Sequence, residues 1–254
     1  MTVIRQENAI GIAIGAVAAA AVAMALCGAA SPRQNGSAQA PAASAAGPRS
    51  FEIVPLETVS ETSANAAIGD VNGDGCPDIV LAKGRHWPVP SRVYLGDCHG
   101  HFRPGPDLPS EATKTYSASL ADMTRSGHLD IVLSNDEPEP KLVLVNDGHG
   151  NFRVAATYGD PKWSTRNAAF GDLKGDGYPD IVVANRMMPS QVCLNDGHLH
   201  FRCTPLAADH SSAASVAIAD MDGDGWPDVV VARSDAPCIV MFNRPTRTGA
   251  QLKK

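Results

Sequence analysis

Aromatic residues are scarce in this chain: three Trp, four Tyr and six Phe in 254 residues. Few rings are left to stack against a ligand, and Trp87, Trp163 and Tyr116, in or near inter-strand loops, are the candidates. The alternative is that these rings plug the ends of the structural units. Positive charge is also in deficit. The formal net charge is −6 and there is no basic stripe, which argues against a nucleic-acid partner because nothing would meet the phosphates. No amphipathic helix is predicted between the strands, so a βαβ fold is disfavoured. Three catalytic signatures are missing as well: a Ser nucleophile elbow, a phosphate-cradling glycine loop before a helix, and His-Glu-x-x-His.

The long apolar run is N-terminal. Arg5 precedes "AIGIAIGAVAAAAVAMALCGAA" (Ala9–Ala30), which ends in small residues suited to a signal peptidase. Residues 1–30 therefore read as a signal peptide, with a retained N-terminal anchor as the alternative. Cys27 invites a lipoprotein reading, but Leu26 stands where a lipid-attachment site wants a small residue. Residues 31–50, rich in Ala, Ser, Pro and Gly, read as a flexible linker. Residues 51–243 are the folded part and 244–254 a C-terminal tail. The expected location is secreted, periplasmic or cell-surface, with the membrane reached only through the possible anchor.

The folded part repeats. "AAIGDVNGDGCPDIVLA" (66–82) has three relatives: "ASLADMTRSGHLDIVLS" (118–134), "AAFGDLKGDGYPDIVVA" (168–184) and "VAIADMDGDGWPDVVVA" (216–232). The leading aspartates are Asp70, Asp122, Asp172 and Asp220, about 50 residues apart. A second block follows in three copies, "VYLGDCHGHF", "VLVNDGHGNF" and "VCLNDGHLHF", and the fourth, "IVMFNRP", stops early. Each unit reads as four strands: a small-residue strand, a continuous apolar strand of the "DIVLA" type, a third strand ending in an Asn-Asp-Gly hairpin signal, and a strand opening with Phe. Four-stranded units at this period are the sequence form of β-propeller blades. The expectation is an all-β propeller of four four-stranded blades. The N-terminal strand at Phe51, aligned with Phe102, Phe152 and Phe201, would close the last blade. The alternatives are an open array or part of a larger ring built with a second chain.

In "DVNGDGCPD", Asp70, Asn72, Asp74 and Asp78 fall at positions one, three, five and nine, and Cys76 would turn its carbonyl inward at position seven. Hard cations such as Ca²⁺ want six to eight oxygens, and the intervening glycines allow the curl that supplies them. An EF-hand would place Glu at position twelve between helices; Leu81 stands there, inside a strand. "DMDGDGWPD" is the fullest copy, with Asp220, Asp222, Asp224 and Asp228 and the carbonyl of Trp226. "DLKGDGYPD" keeps Asp172, Asp176 and Asp180, with the carbonyl of Tyr178, but Lys174 replaces the third-position ligand and weakens the site. In "DMTRSGHLD" only Asp122 and Asp130 remain, so that loop should keep its shape without metal. Acidic turns capping themselves through Asx bonds, with no ion, are the bland alternative.

These stretches, with the hairpins "NDGHGNF" and "NDGHLHF", resemble the FG-GAP repeat family in its VCBS-type bacterial form, related to integrin α-subunit propellers. The resemblance covers residues 51–243. It implies a calcium-binding, extracellular or periplasmic propeller serving adhesion, lectin-like binding or scaffolding. Family propellers commonly have seven blades, where this chain has four.

Cys76 and Cys98 lie in loops at the same end of blade one, and Cys193 and Cys203 flank a hairpin. Both pairs could bridge in an exported protein, leaving Cys238 over. His99, His101, His149, His198 and His200 cluster in the hairpins and read as exposed turn residues. The functional expectation is a non-catalytic, calcium-stabilised module binding a protein or glycan. The alternative is a secreted carbohydrate-active hydrolase or lyase, which would need a carboxylate pair in a pocket away from the acidic loops.

Overall fold

The computed structural model describes residues 50–207 and 210–244. The expected signal segment, nearly all of the linker, and the tail beyond Arg244 lie outside these residues. Backbone contacts divide the chain into Met1–Glu52 and Ile53–Lys254, and every strand lies in the second unit.

The architecture is a four-bladed β-propeller with no helix among the described residues. Blade one contains β1 (Ser63–Gly69), β2 (Asp78–Lys83), β3 (Arg92–Gly96) and β4 (Phe102–Pro104). Blade two contains β5 (Thr115–Ala121), β6 (Asp130–Asn135), β7 (Lys141–Asn146) and β8 (Phe152–Tyr158). Blade three contains β9 (Thr165–Gly171), β10 (Asp180–Asn185), β11 (Gln191–Asn195) and β12 (Phe201–Pro205). Blade four contains β13 (Ala213–Ala219), β14 (Asp228–Arg233) and β15 (Ile239–Met241). Within each blade, consecutive strands pair antiparallel. The register repeats: Gly69, Ala121, Gly171 and Ala219 face Asp78, Asp130, Asp180 and Asp228, so each acidic loop closes on the same rung.

The "DIVLA" strands are apolar throughout because both faces are covered. Every residue of β6 and β10 is buried. Alternate side chains feed different seams. Val80, Val93 and Leu95 meet Ile131, Leu133 and Leu144 between blades one and two. Val132 and Val143 meet Ile181 and Val183 between blades two and three. Val182 meets Val229 and Val231 between blades three and four. The innermost strands are rich in small residues because neighbouring blades converge there. At Gly69, an added Cβ would lie 2.6 Å from Leu129 Cδ1.

Polar ties reinforce the seams. The Asn146 side-chain amide, at the end of β7, donates to Val71 O of blade one at 2.7 Å. Asn195 Nδ2 reaches back to Met123 O of blade two (3.2 Å), and Asn243 Nδ2 to Leu173 O of blade three (2.9 Å). Blade one has Gly96 at the matching position, where a Cβ would collide with Pro77 O.

The N-terminal closure is corrected by the structure. The last sheet has three strands, residues 51–62 contain none, and Phe51 is fully exposed. The segment is instead tied to blade one. Lys83 Nζ, fully buried, pairs with Glu57 and, at 2.8 Å, with Glu61, while Tyr94 Oη donates to Glu57 at 2.9 Å. A lone aligned Phe was weaker than this buried cation, whose charge must be met by polar partners and here is met by two carboxylates of the segment. Apolar side chains remain exposed on both end blades: Ile68 on blade one, and Val240 with Phe242 on or just after β15.

Candidate metal centre

Each acidic loop is first a self-bonded turn. The leading aspartate takes backbone donors from three to five residues ahead: Gly73 and Gly75 N–H to Asp70 (2.7 and 2.8 Å), Gly223 and Gly225 N–H to Asp220 (2.7 and 2.9 Å). Gly73, Gly75, Gly223 and Gly225 all have positive φ, which opens the curl. These donors hold the Asp220 carboxyl below its usual range, Gly225 contributing most. Blade two keeps the shape as expected. Asp122 accepts from Ser126 and Gly127 N–H at 2.9 and 2.8 Å, although Arg125 must take φ 58° there.

The ninth-position aspartates play a part the sequence did not disclose. Asp78, Asp130, Asp180 and Asp228 are fully buried. Each accepts from the residue after the leading aspartate with one oxygen and from the end of the third strand with the other. For Asp78 the donors are Val71 and Gly96 N–H, both at 2.9 Å; for Asp228 they are Met221 (2.9 Å) and Asn243 (2.8 Å). They bolt the loop to its sheet. Burial pushes the Asp130 and Asp180 carboxyls upward, against the pull of those same N–H donors.

Positions one, three and five converge fully in blade four. Oxygens of Asp220, Asp222 and Asp224 all lie within 4.8 Å of one another and are exposed. Arg244 caps them, with Nη1 donating to Asp224 Oδ2 at 2.5 Å and Nη2 pairing with Asp222. The donor set fits a hard cation: oxygen only, three carboxylates on one curl, and a stand-in positive charge already drawn to them. In blade one, Asn72 accepts from Asp74 N–H (3.1 Å) and donates its amide to Asp74 Oδ2 (2.8 Å). The Cys76 amide pulls Asp74 below the usual carboxylate range. In blade three, Lys174 points into the loop rather than away. Its ammonium contacts Asp176, donates to Asn195 O at 2.5 Å and stands 3.6 Å from Asp180 Oδ1. An ion at that loop would share Asp176 and Asp180 with a built-in ammonium. Asp172 and the peptides of Gly177 and Tyr178 complete the same turn.

Other sequence candidates fall into place around these loops. Disulfides join Cys76 to Cys98 and Cys193 to Cys203, and Cys238 is free and exposed. His101 and His200 pair with their own hairpin aspartates, Asp97 and Asp196, at 2.7 and 2.9 Å. Trp163 packs over Gly159 against the cluster between blades two and three, so it is a plug rather than a platform. Trp87 is 72% exposed. Tyr116 is half-buried, with Arg166 3.8 Å and Arg85 5.6 Å from its ring centre.

The fold and loops define a class, a β-propeller assembled from acidic-loop repeats. The chain belongs to the FG-GAP-like repeat family, whose model matches residues 70–133, 122–183 and 172–231. A search of curated proteins finds no match. Among solved structures, an Agrocybe aegerita lectin that recognises non-reducing terminal N-acetylglucosamine aligns over 72% of this chain with 21% identity and a TM-score of 0.50. This chain spans 50% of the lectin chain, and the likeness is one of fold. A Bifidobacterium bifidum protein provisionally assigned as an exo-β-1,3-galactanase aligns over 65% of this chain and 66% of its own, at 15% identity and TM-score 0.44. The Vibrio cholerae biofilm matrix protein Bap1 aligns over 72% of this chain and 31% of its own, at 18% identity and TM-score 0.39.

Proposed function

We propose that this protein is an exported binding propeller whose acidic loops hold Ca²⁺ as structural staples and which has no chemistry of its own. The convergence of Asp220, Asp222 and Asp224 carries the reading. Three carboxylates on one curl repel each other unless a cation meets them. In blade four Asp220, Asp222 and Asp224 would hold the ion, and in blade one Asp70, Asn72 and Asp74 would; Ca²⁺ would supply charge neutralisation and a fixed loop shape. Two disulfides support export to an oxidising compartment, as does the apolar N-terminal run. The partner class is a protein or a glycan, and the acidic balance speaks against nucleic acid.

The carbohydrate-active enzyme reading asks for two free carboxylates in one cleft. Glu57 and Glu61 do line a cleft together, but both hold the buried Lys83 ammonium, a structural task.

The test is thermal unfolding in millimolar Ca²⁺ and in EGTA. A site filled at a hundredfold excess over its Kd adds about 3 kcal/mol. For a domain of this size that raises Tm by about 5–10 °C. An unchanged Tm overturns the calcium staple.

A further inference from the structure

A second charged feature stands away from the acidic loops. The inner strands β1, β5, β9 and β13 run toward the loops at their C-terminal ends. At their opposite ends lies a cavity of about 570 Å³ to which all four blades contribute. Arg85 and His86 enter from the β2–β3 connection, Tyr116 from β5, Arg166 and Arg186 from blade three, and Ser212 with Ser234 from blade four. Three guanidinium groups therefore line one opening.

The acids do not balance them. Asp136 meets Arg166 at 3.2 Å and also accepts from Ser164 Oγ at 2.6 Å, so it is already engaged. Asp235, beside Ser234, accepts from the Ser212 backbone at 2.8 Å. Among the described residues, no carboxylate lies within ion-pair distance of Arg85 or Arg186. The Tyr116 ring lies beside both guanidinium groups, 3.8 Å from that of Arg166 and 5.6 Å from that of Arg85. A planar guanidinium fork matches carboxylate and sulfate oxygens in pairs. The remaining wall is amphipathic: methyls of Ala64, Ala213 and Ala214 beside the two serine hydroxyls. Small methyls and hydroxyls suit a polyhydroxylated ring. The volume lies within the usual range of small-ligand sites, roughly 300–1,000 Å³.

We propose that this arginine-lined mouth is the ligand site of the propeller and that it takes an anionic saccharide, gripping carboxylate or sulfate groups through Arg85, Arg166 and Arg186. The proposal rests on the reading of the protein as a binding module, and it is independent of the calcium loops.

Calorimetric titration of the full, disulfide-intact chain tests it, with four probes: trigalacturonate, a sulfated chondroitin tetrasaccharide, neutral galactotriose and hexaglutamate. At least one charged saccharide should bind, the two arms showing which oxyanion is preferred. Galactotriose should not bind. Arg85→Gln and Arg186→Gln should each weaken binding about tenfold or more. Raising salt from about 50 to about 200 mM should weaken it further. Both side chains are exposed, so Tm should stay unchanged in the variants. Three results overturn the proposal: no binding of either charged saccharide, hexaglutamate binding more tightly than both, or variants that bind like the parent. The EGTA melt reads the opposite end of the molecule, so the two readings fail separately.

Discussion

Asn146→Ala tests how the blades are joined. The Asn146 side chain is buried and makes four hydrogen bonds. Its amide donates to Val71 O (2.7 Å) and Leu129 O (3.0 Å), and its Oδ1 accepts from Gly148 N–H (3.0 Å) and Gly150 N–H (3.2 Å). Its backbone N–H, which donates to Asp130 Oδ1 at 3.0 Å, survives the substitution. Each lost bond is worth about 1 kcal/mol net, and the buried carbonyls left behind add desolvation cost. The regained side-chain entropy offsets only part of this. The expected loss is about 3–4 kcal/mol, which lowers Tm by about 6–15 °C. Urea unfolding followed by tryptophan fluorescence measures it. Asn151→Ala is the control: Asn151 sits in the same hairpin, exposed, with its amide on Asp147 at 2.8 Å, and its loss should cost about 0.5 kcal/mol or less. If Asn146→Ala costs under about 1 kcal/mol, or no more than the control, the polar seam does not join the blades.

Lys174→Asp gives blade three the ligand pattern of blade four; it should lower Tm in EGTA, raise the Ca²⁺-dependent gain in Tm, and add one bound ion by calorimetric titration, and an unchanged stoichiometry would refute it. The Lys141 ammonium, buried with Nζ donating to carbonyls of Asp160 (3.1 Å) and Trp163 (2.6 Å) among others, is pushed down by burial to about 8. Its unfolded form holds the proton more strongly, so stability should be lowest at and below pH 8 and rise toward pH 10, by at most about 2 kcal/mol. Lys141→Met should flatten that rise in urea titrations, and a parental stability that falls over pH 8–10 would count against it.

Periodicity exposed the blades because every copy repeats the same strand, loop and hairpin, and repetition survives ignorance of tertiary contacts. The disulfides were legible for the same reason: Cys193 and Cys203 lie opposite each other on β11 and β12 once the hairpin between them is recognised. What stayed hidden was residues with two jobs. The asparagine of Asn-Asp-Gly announces a turn, and it does hold one, but its amide also bonds a carbonyl 75 residues earlier. Asp78 and its equivalents look like the ninth ligand of a metal loop, yet their burial and register make them bolts between the loop and the third strand. Lys174 could be read as a lost ligand; only the side chain's direction shows it meeting the carboxylates itself.

The misplaced N-terminal strand follows from the same limit, and blade one carried the clue. Lys83 stands where blades two and three have Asn135 and Asn185, and Gly96 where they have Asn146 and Asn195. Asn135 and Asn185 serve their own blades, their side-chain amides donating to Pro140 O and Pro189 O. The buried Lys83 ammonium is held instead by carboxylates from outside the sheet. Glu57 and Glu61, four residues apart just before β1, are within reach. Gly96 removes the amide with which blades two, three and four each reach the blade before them. Blade four also departs at the first of these positions, with Arg233, so among the described blades only the missing asparagine at Gly96 is peculiar to blade one. Lys83, which breaks the repeat, therefore places residues 57–61 against blade one more firmly than Phe51, which continues it and is exposed.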